Sequence, residues 1–200
     1  VNEIKKKDHD AIVGVFASDH AIENELAFIN AWKTAEKAAE DDYLVLLGIK
    51  PHEPATGYGY IKLSKIIIEG NMPVYEVAKF VEKPSLETAK KYLADGYLWN
   101  SGMFVFKAHA FLQMLTNHQP EIAKQLTNMT IENFERIYEN FINISMDYGL
   151  AEKVDKVAVV PVNMSWSDLG SWESIYQKHE KDAKENVIHG DVITKNTSNC

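Results

Sequence analysis

An uninterrupted apolar run, Ala11-Ile12-Val13-Gly14-Val15-Phe16-Ala17, is followed by a helical pattern and then by a second apolar run over residues 43–49. This order constrains the chain more than any other feature. A short continuous apolar run reads as a strand buried on both faces. Between the runs, Leu26, Ile29, Ala31, Trp32, Ala35 and Ala38 recur at helical spacing with charges between them, as in an amphipathic helix. Strand, helix and strand in that order predict a βαβ unit with parallel strands.

Later segments extend the pattern. Residues 60–68 and 74–81 read as an antiparallel hairpin around Glu69-Gly70-Asn71. Ser85 is placed to cap a helix that Gly96 ends. Residues 102–106 and 157–162 read as strands. Residues 108–115, 121–126 and 131–141 read as short helices. Asp147 is placed to cap another helix, and residues 171–181 predict a further one. The fold class is therefore α/β: a mixed, mostly parallel sheet with helices on both faces. Residues 1–185 form one domain, and the alternating tail 186–200 begins a different module. Ligands in such sheets gather at the carboxyl ends of strands. Asp19, the Gly57–Gly59 loop and Asp168 all fall there.

Composition narrows the function classes. The net charge of −8 argues against a general nucleic-acid binder, which needs a basic face. No apolar stretch is long enough for a membrane span. The single cysteine, Cys200, excludes an internal disulfide and agrees with a cytoplasmic location. The histidines, His9 to His189, show no pair with the spacing of a helical zinc site. Homo-oligomerisation is left open.

Several small constellations carry chemistry. Asp168 lies between Trp166 and Trp172, just after an expected buried strand. It either caps the following helix or pairs with a cation. Asp19 also follows a strand, and two such carboxylates can share Mg²⁺. In Glu82-Lys83-Pro84, lysine suits a phosphate and glutamate suits sugar hydroxyls. An extended backbone would send the two side chains to opposite faces unless the chain bends there. Asn100-Ser101-Gly102 is a polar triplet between apolar flanks, either a bulge or a ligand contact. The Gly57 loop is either a ligand contact or a flexible hairpin entry. His20 is expected to orient the loop it shares with Asp19.

Taken in order, Ala17-Ser18-Asp19-His20, Thr56-Gly57-Tyr58-Gly59-Tyr60, Phe80-Val81-Glu82-Lys83-Pro84, Trp99-Asn100-Ser101-Gly102, Met146-Asp147-Tyr148-Gly149 and the Trp166–Trp172 segment resemble the sugar-1-phosphate nucleotidyltransferase family. The likeness is greatest to its branch that uses GTP and mannose 1-phosphate. The resemblance implies a Rossmann-like domain that makes GDP-mannose and pyrophosphate with Mg²⁺. It implies Asp19 and Asp168 as metal ligands and Lys83 as the sugar-phosphate contact. It also implies Glu82 and Asn100 on the mannosyl hydroxyls, with Gly57, Ser101 and Gly102 along the sugar-nucleotide, and a β-helical continuation after Asn186. The family's Gly-rich, Arg-containing phosphate loop has no counterpart here. The resemblance therefore predicts an N-terminally incomplete domain with little activity alone. Alternatives are a catalytically silent sugar-nucleotide-binding homologue or subunit, and an enzyme for another hexose 1-phosphate.

Overall fold

The computed structural model describes all residues, Val1–Cys200. A short helix α1 (Asn2–Lys7) precedes β1 (Ile12–Val15) and the two-residue β2 (Ala21–Ile22). Helix α2 (Glu25–Ala39) leads to β3 (Leu44–Ile49), β4 (Tyr60–Ile68) and β5 (Val74–Val81). Helix α3 (Leu86–Ala94), strand β6 (Leu98–Lys107), and helices α4 (Ala108–His118), α5 (Pro120–Thr127) and α6 (Phe134–Tyr138) follow. A π-helical turn (Asp147–Ala151), β7 (Val157–Pro161), β8 (Trp166–Ser167) and α7 (Trp172–Lys178) complete the order. Residues 186–200 hold no helix or strand.

Six strands form one mixed sheet in the order β1-β6-β3-β7-β5-β4, and β4 also pairs with the start of β6. The expected α/β class, with helices on both faces, is what the chain forms. The expected parallel share is too high. Only β3 and β7 are parallel neighbours, and every other pairing is antiparallel. Strands β1 and β3 do run in the same direction, as a βαβ unit requires. However, β6 is inserted between them, antiparallel to both. Hydrophobic periodicity reports that a strand is buried, not which distant strand lies beside it.

The continuous apolar pattern marks a buried strand at β3, where every residue is buried, and at β7, where Val157 to Val160 are buried. It misleads at β1, which pairs only with β6 at the sheet edge and is half-buried at best. Helix α2 packs on one face through Ala31, Ala35 and Ala38, all fully buried against Val45, Leu47 and Val105. Small side chains at this spacing let the helix lie close to the sheet. The opposite face is covered by α4 and the π-helical turn, through Ala110, Met114, Leu115 and Leu150 over Leu46, Phe104 and Phe106.

Strand β6 begins earlier than its apolar run indicates and includes Asn100-Ser101-Gly102. Leu46 pairs with Phe104 but Gly48 pairs with Asn100, so β6 carries extra residues across this step. That is a β-bulge. Gly102 sits there at φ +72°, a conformation that favours glycine. The Ser101 hydroxyl donates to the Leu47 carbonyl at 2.8 Å, and the residue is 1% exposed. Replacing Ser101 with Ala should lower unfolding free energy by about 1–3 kcal/mol, the cost of a buried acceptor left without its donor. Urea denaturation of the variant would show an unchanged midpoint if that bond contributed nothing.

Candidate functional site

The bulge decides where Asn100 points. Its Oδ1 accepts from the Gly102 backbone N–H at 3.2 Å, and its Nδ2 donates to Asp147 Oδ1 at 2.8 Å. Asp147 opens the π-helical turn and does not act as a side-chain cap, contrary to expectation. Glu82 lies just beyond β5. Its backbone N–H donates to Glu152 Oε1 at 2.9 Å, which fixes the strand exit. Lys83 has φ +46°, so the chain does bend there. Consequently Lys83 Nζ approaches Glu82 Oε1 at 3.5 Å instead of facing away.

Glu82, Asn100 and Asp147 line a cleft of about 150 Å³ together with His20, Gly57, Tyr58, Gly59, Ser101, Gly102, Trp166 and Asp168. That is smaller than the roughly 300 Å³ lower bound of a drug-sized site, so it suits one ring more than a whole sugar nucleotide. A larger cavity of about 540 Å³ lies between α4, α5 and the π-helical turn. Its walls are mostly apolar, with residues such as Phe111, Ile122 and Phe141, and offer no charge to a phosphate. The small polar cleft is therefore the better candidate despite its size.

The electrostatics of the cleft are unusual. Glu82 is pushed above the ordinary carboxylate range, first by burial and then by the nearby Asp147 charge. Burial also raises Asp147, although hydrogen bonds, including that from Asn100, oppose the shift. Two partly desolvated carboxyls thus share one wall and favour a ligand that brings hydrogen-bond donors.

Asp168 is held differently. Its Oδ1 accepts from the Tyr58 hydroxyl at 2.9 Å and from the Gly170 N–H at 3.1 Å. It does not cap α7. Ser171 does that, in a reciprocal capping box with Ser174. Burial, followed by the Asp168 hydrogen bond and charge, raises the Tyr58 phenol far above its usual range, so Tyr58 stays a donor. Tyr58 packs edge-on against Trp99 and Trp166, with centroids 4.9 and 5.4 Å apart. Trp166 Nε1 donates to His20 Nδ1 at 3.1 Å, which leaves the His20 proton on Nε2. His20 therefore braces its loop, as expected.

The two-residue ladder β2–β8, with Ala21 opposite Ser167 and Ile22 opposite Trp166, sets the Asp19 and Asp168 segments side by side. Asp19 itself is exposed and is not among the residues lining the cleft. Its neighbour His20 takes the wall position. Lys83 likewise remains outside the lining, with its side chain 58% exposed. Gly57, Glu82, Asn100, Ser101, Gly102 and Asp168 are brought together. A metal between Asp19 and Asp168 would meet an all-oxygen donor set, which fits Mg²⁺. Both hydrogen bonds to the Asp168 carboxylate use Oδ1, which leaves Oδ2 for such a ligand.

Sequence reasoning overlooked Tyr58 and Asp147 as site members. Both lay inside segments singled out for other reasons, and only their distant partners Asp168 and Asn100 reveal what they do. The two glycines of the loop also separate. A Cβ at Gly59 would come within 2.5 Å of Glu82 Oε2 and 2.8 Å of Phe80 Cζ, whereas one at Gly57 would meet nothing within 4 Å. A side chain at Gly59 would have to displace the tips of Glu82 and Phe80, whereas Gly57 faces open space.

Comparison with known proteins places the chain in a family. The family model described as nucleotidyl transferase matches residues 1–185. A mannose-1-phosphate guanylyltransferase from Escherichia coli K12 is 41% identical over 203 residues, covering 96% of this chain and 42% of that protein. A putative mannose-1-phosphate guanylyltransferase from Vibrio cholerae is 39% identical over 207 residues, covering 98% of this chain and 43% of the relative. A crystal structure described as mannose-1-phosphate geranyltransferase, from Thermus thermophilus, superposes with a TM-score of 0.83 at 32% identity, over 95% of this chain and 56% of that one. The chain spans about two-fifths of the length of these curated relatives. On the family match over residues 1–185, and with a polar cleft at the strand ends of a mixed α/β sheet, the chain belongs to the nucleotidyl transferase family.

Proposed function

We propose that the protein carrying this chain transfers GMP from GTP to mannose 1-phosphate, giving GDP-mannose and pyrophosphate, and that this chain supplies its sugar-phosphate half. The observation that carries the reading is the cleft wall in which Glu82, Asn100 and Asp147 converge beside Asp168. A hexose hydroxyl can donate to either raised carboxyl and accept from the remaining Asn100 amide hydrogen. The identity to mannose-1-phosphate guanylyltransferases supports mannose over another hexose.

In this reading an oxygen of mannose 1-phosphate attacks the α-phosphorus of GTP. The bond from that phosphorus to the β-phosphate oxygen breaks, and pyrophosphate leaves with the electron pair. The attacking oxygen is already ionised at neutral pH, so no general base is needed. This chain's residues therefore act by alignment and charge. The cleft fixes the ring, and Gly57 lets the ligand approach the loop backbone. Exposed Lys83, tethered to Glu82, can swing toward the sugar phosphate. His20 offers an Nε2–H at the rim. Asp19 and Asp168 would hold Mg²⁺, and the Tyr58 hydroxyl keeps Asp168 oriented. The metal, when bound, would offset charge developing on the phosphates.

In an assay of the protein carrying this chain with GTP, mannose 1-phosphate and Mg²⁺, Asp168→Asn should cut pyrophosphate release at least about a hundredfold, the scale of losing a key electrostatic group. A rate within twofold of the parent would remove Asp168 from the mechanism. The glycine contrast gives a second test. Gly57→Ala should leave the thermal midpoint unchanged yet raise KM for mannose 1-phosphate. Gly59→Ala should lower stability by about 1–3 kcal/mol through overpacking.

Glu82→Gln tests the raised carboxyl. A carboxyl whose folded pKa exceeds its unfolded value costs nothing below the unfolded value. The cost grows as pH rises from the unfolded value toward the folded one and is full above the folded value. The variant should therefore be more stable than the parent at pH 7, by about 0.5–1 kcal/mol, with the gain fading near pH 4. It should also bind GDP-mannose more weakly in calorimetry. Equal stability at both pH values would show that Glu82 carries no such cost.

A further inference from the structure

A group of metal-ligating side chains lies far from the cleft, at the other end of β6. Asp10 precedes β1, Asp42 precedes β3, and His109 sits in the first turn of α4, directly after β6. Asn100 and Lys107 stand seven positions apart on that strand. At about 3.3 Å per residue this is roughly 20 Å, so the two places are separate.

His9 Nδ1 and His109 Nδ1 both approach Asp10 Oδ1 at 3.2 Å. The two imidazoles stack with centroids 4.5 Å apart and planes 15° apart. One ligand atom from each of His9, Asp10 and His109 lies within 4.8 Å of the others. Metal–ligand bonds of about 2.0–2.2 Å at tetrahedral angles place donor atoms roughly 3.3–3.6 Å from one another, so a small closing movement completes such a set. The other nitrogen of His109 faces Asp42 Oδ1 at 3.5 Å. An imidazole whose second nitrogen is turned to a carboxylate is the usual arrangement around a metal-bound histidine.

His109 Nδ1 and Asp42 Oδ1 meet their charged neighbours Asp10 and Lys107 without a hydrogen bond of good geometry, although the His109 and Asp42 side chains are 27% and 46% exposed. Contacts held this loosely leave room for an ion to take them over. The charges also permit a cation. Asp10 and Asp42 bring two negative charges against one positive charge from Lys107, which lies 3.2 Å from Asp42 Oδ1 and also donates to the Glu40 carbonyl.

We propose that His9, Asp10 and His109 form a binding site for a borderline divalent transition metal of the Zn²⁺ class, with Asp42 orienting the His109 ring. Two imidazoles and one carboxylate suit such an ion and not Mg²⁺. The site is structural. It ties the exposed edge strand β1 to the β6–α4 junction and, through Asp42, to the entry of β3. Water completes the coordination. The site escaped the sequence analysis because its members come from segments far apart in the chain, without a helical ligand spacing.

Thermal unfolding and calorimetry with ZnCl₂ test the site. Saturating Zn²⁺ should raise the melting temperature by about 5–10 °C, as expected for ligand near a hundredfold above its dissociation constant and a domain of this size. EDTA should reverse the rise, and the same concentration of Mg²⁺ should not produce it. His9→Gln, at an exposed position outside the core, should abolish the rise while leaving the metal-free melting temperature unchanged. His109→Gln should also abolish it. Asp168→Asn should keep it in full, which separates this site from any metal in the cleft. No saturable Zn²⁺ binding by the parent, or undiminished binding by the His9→Gln/His109→Gln double variant, would overturn the proposal.

Discussion

The bulge in β6 is the constraint on which the candidate site depends. This strand pairs with β1, β3 and β4, so its backbone is committed on both edges. A regular strand would hold Asn100 in alternation with its neighbours. The extra residues re-aim it so that its amide spans from the Gly102 N–H to Asp147. Ser101 anchors the distortion from below by donating to Leu47. The same three residues thus form the bulge of the structural reading and line the cleft, because a bulge is a means of placing a side chain where the ladder would not.

The cleft is built against its own stability. Glu82 and Asp147 lose hydration, Glu82 also feels the Asp147 charge, and both are pushed toward protonation. Local order elsewhere offsets this. Tyr58, Trp166 and His20 form a hydrogen-bonded aromatic wall, with Trp99 packed against Tyr58, and Tyr58 carries Asp168 with it. A rigid wall opposite an acidic one is a reasonable plan for a polyhydroxylated ligand, whose hydroxyl donors complement the two carboxyls. The family match identifies the family without fixing residue roles.

Several residues were legible from the chain in isolation. Ser85 and Gly96 bound α3, and Ser171 starts α7, because caps are local chemistry. Strands β3 and β7 were visible as fully apolar runs, since a strand buried on both faces has no polar alternation. The edge position of β1 was not visible, because its run has the same composition as theirs. Asp168 could not be resolved between cap and ligand from its neighbours; the outcome turned on Tyr58, which comes from another loop.

The sequence by itself determined the α/β class, the amphipathic α2, the hairpin of β4 and β5 and the set of polar segments that carry the chemistry. All of these follow from periodicity and local backbone preference within a few turns of chain. Only the tertiary structure decided that β6 enters between β1 and β3, that Asp147 and Tyr58 join the cleft, that Asp19 and Lys83 stay outside its wall and that His9 meets His109. Those outcomes depend on strand register and packing between remote segments, where one step of register turns a side chain from one face of the sheet to the other.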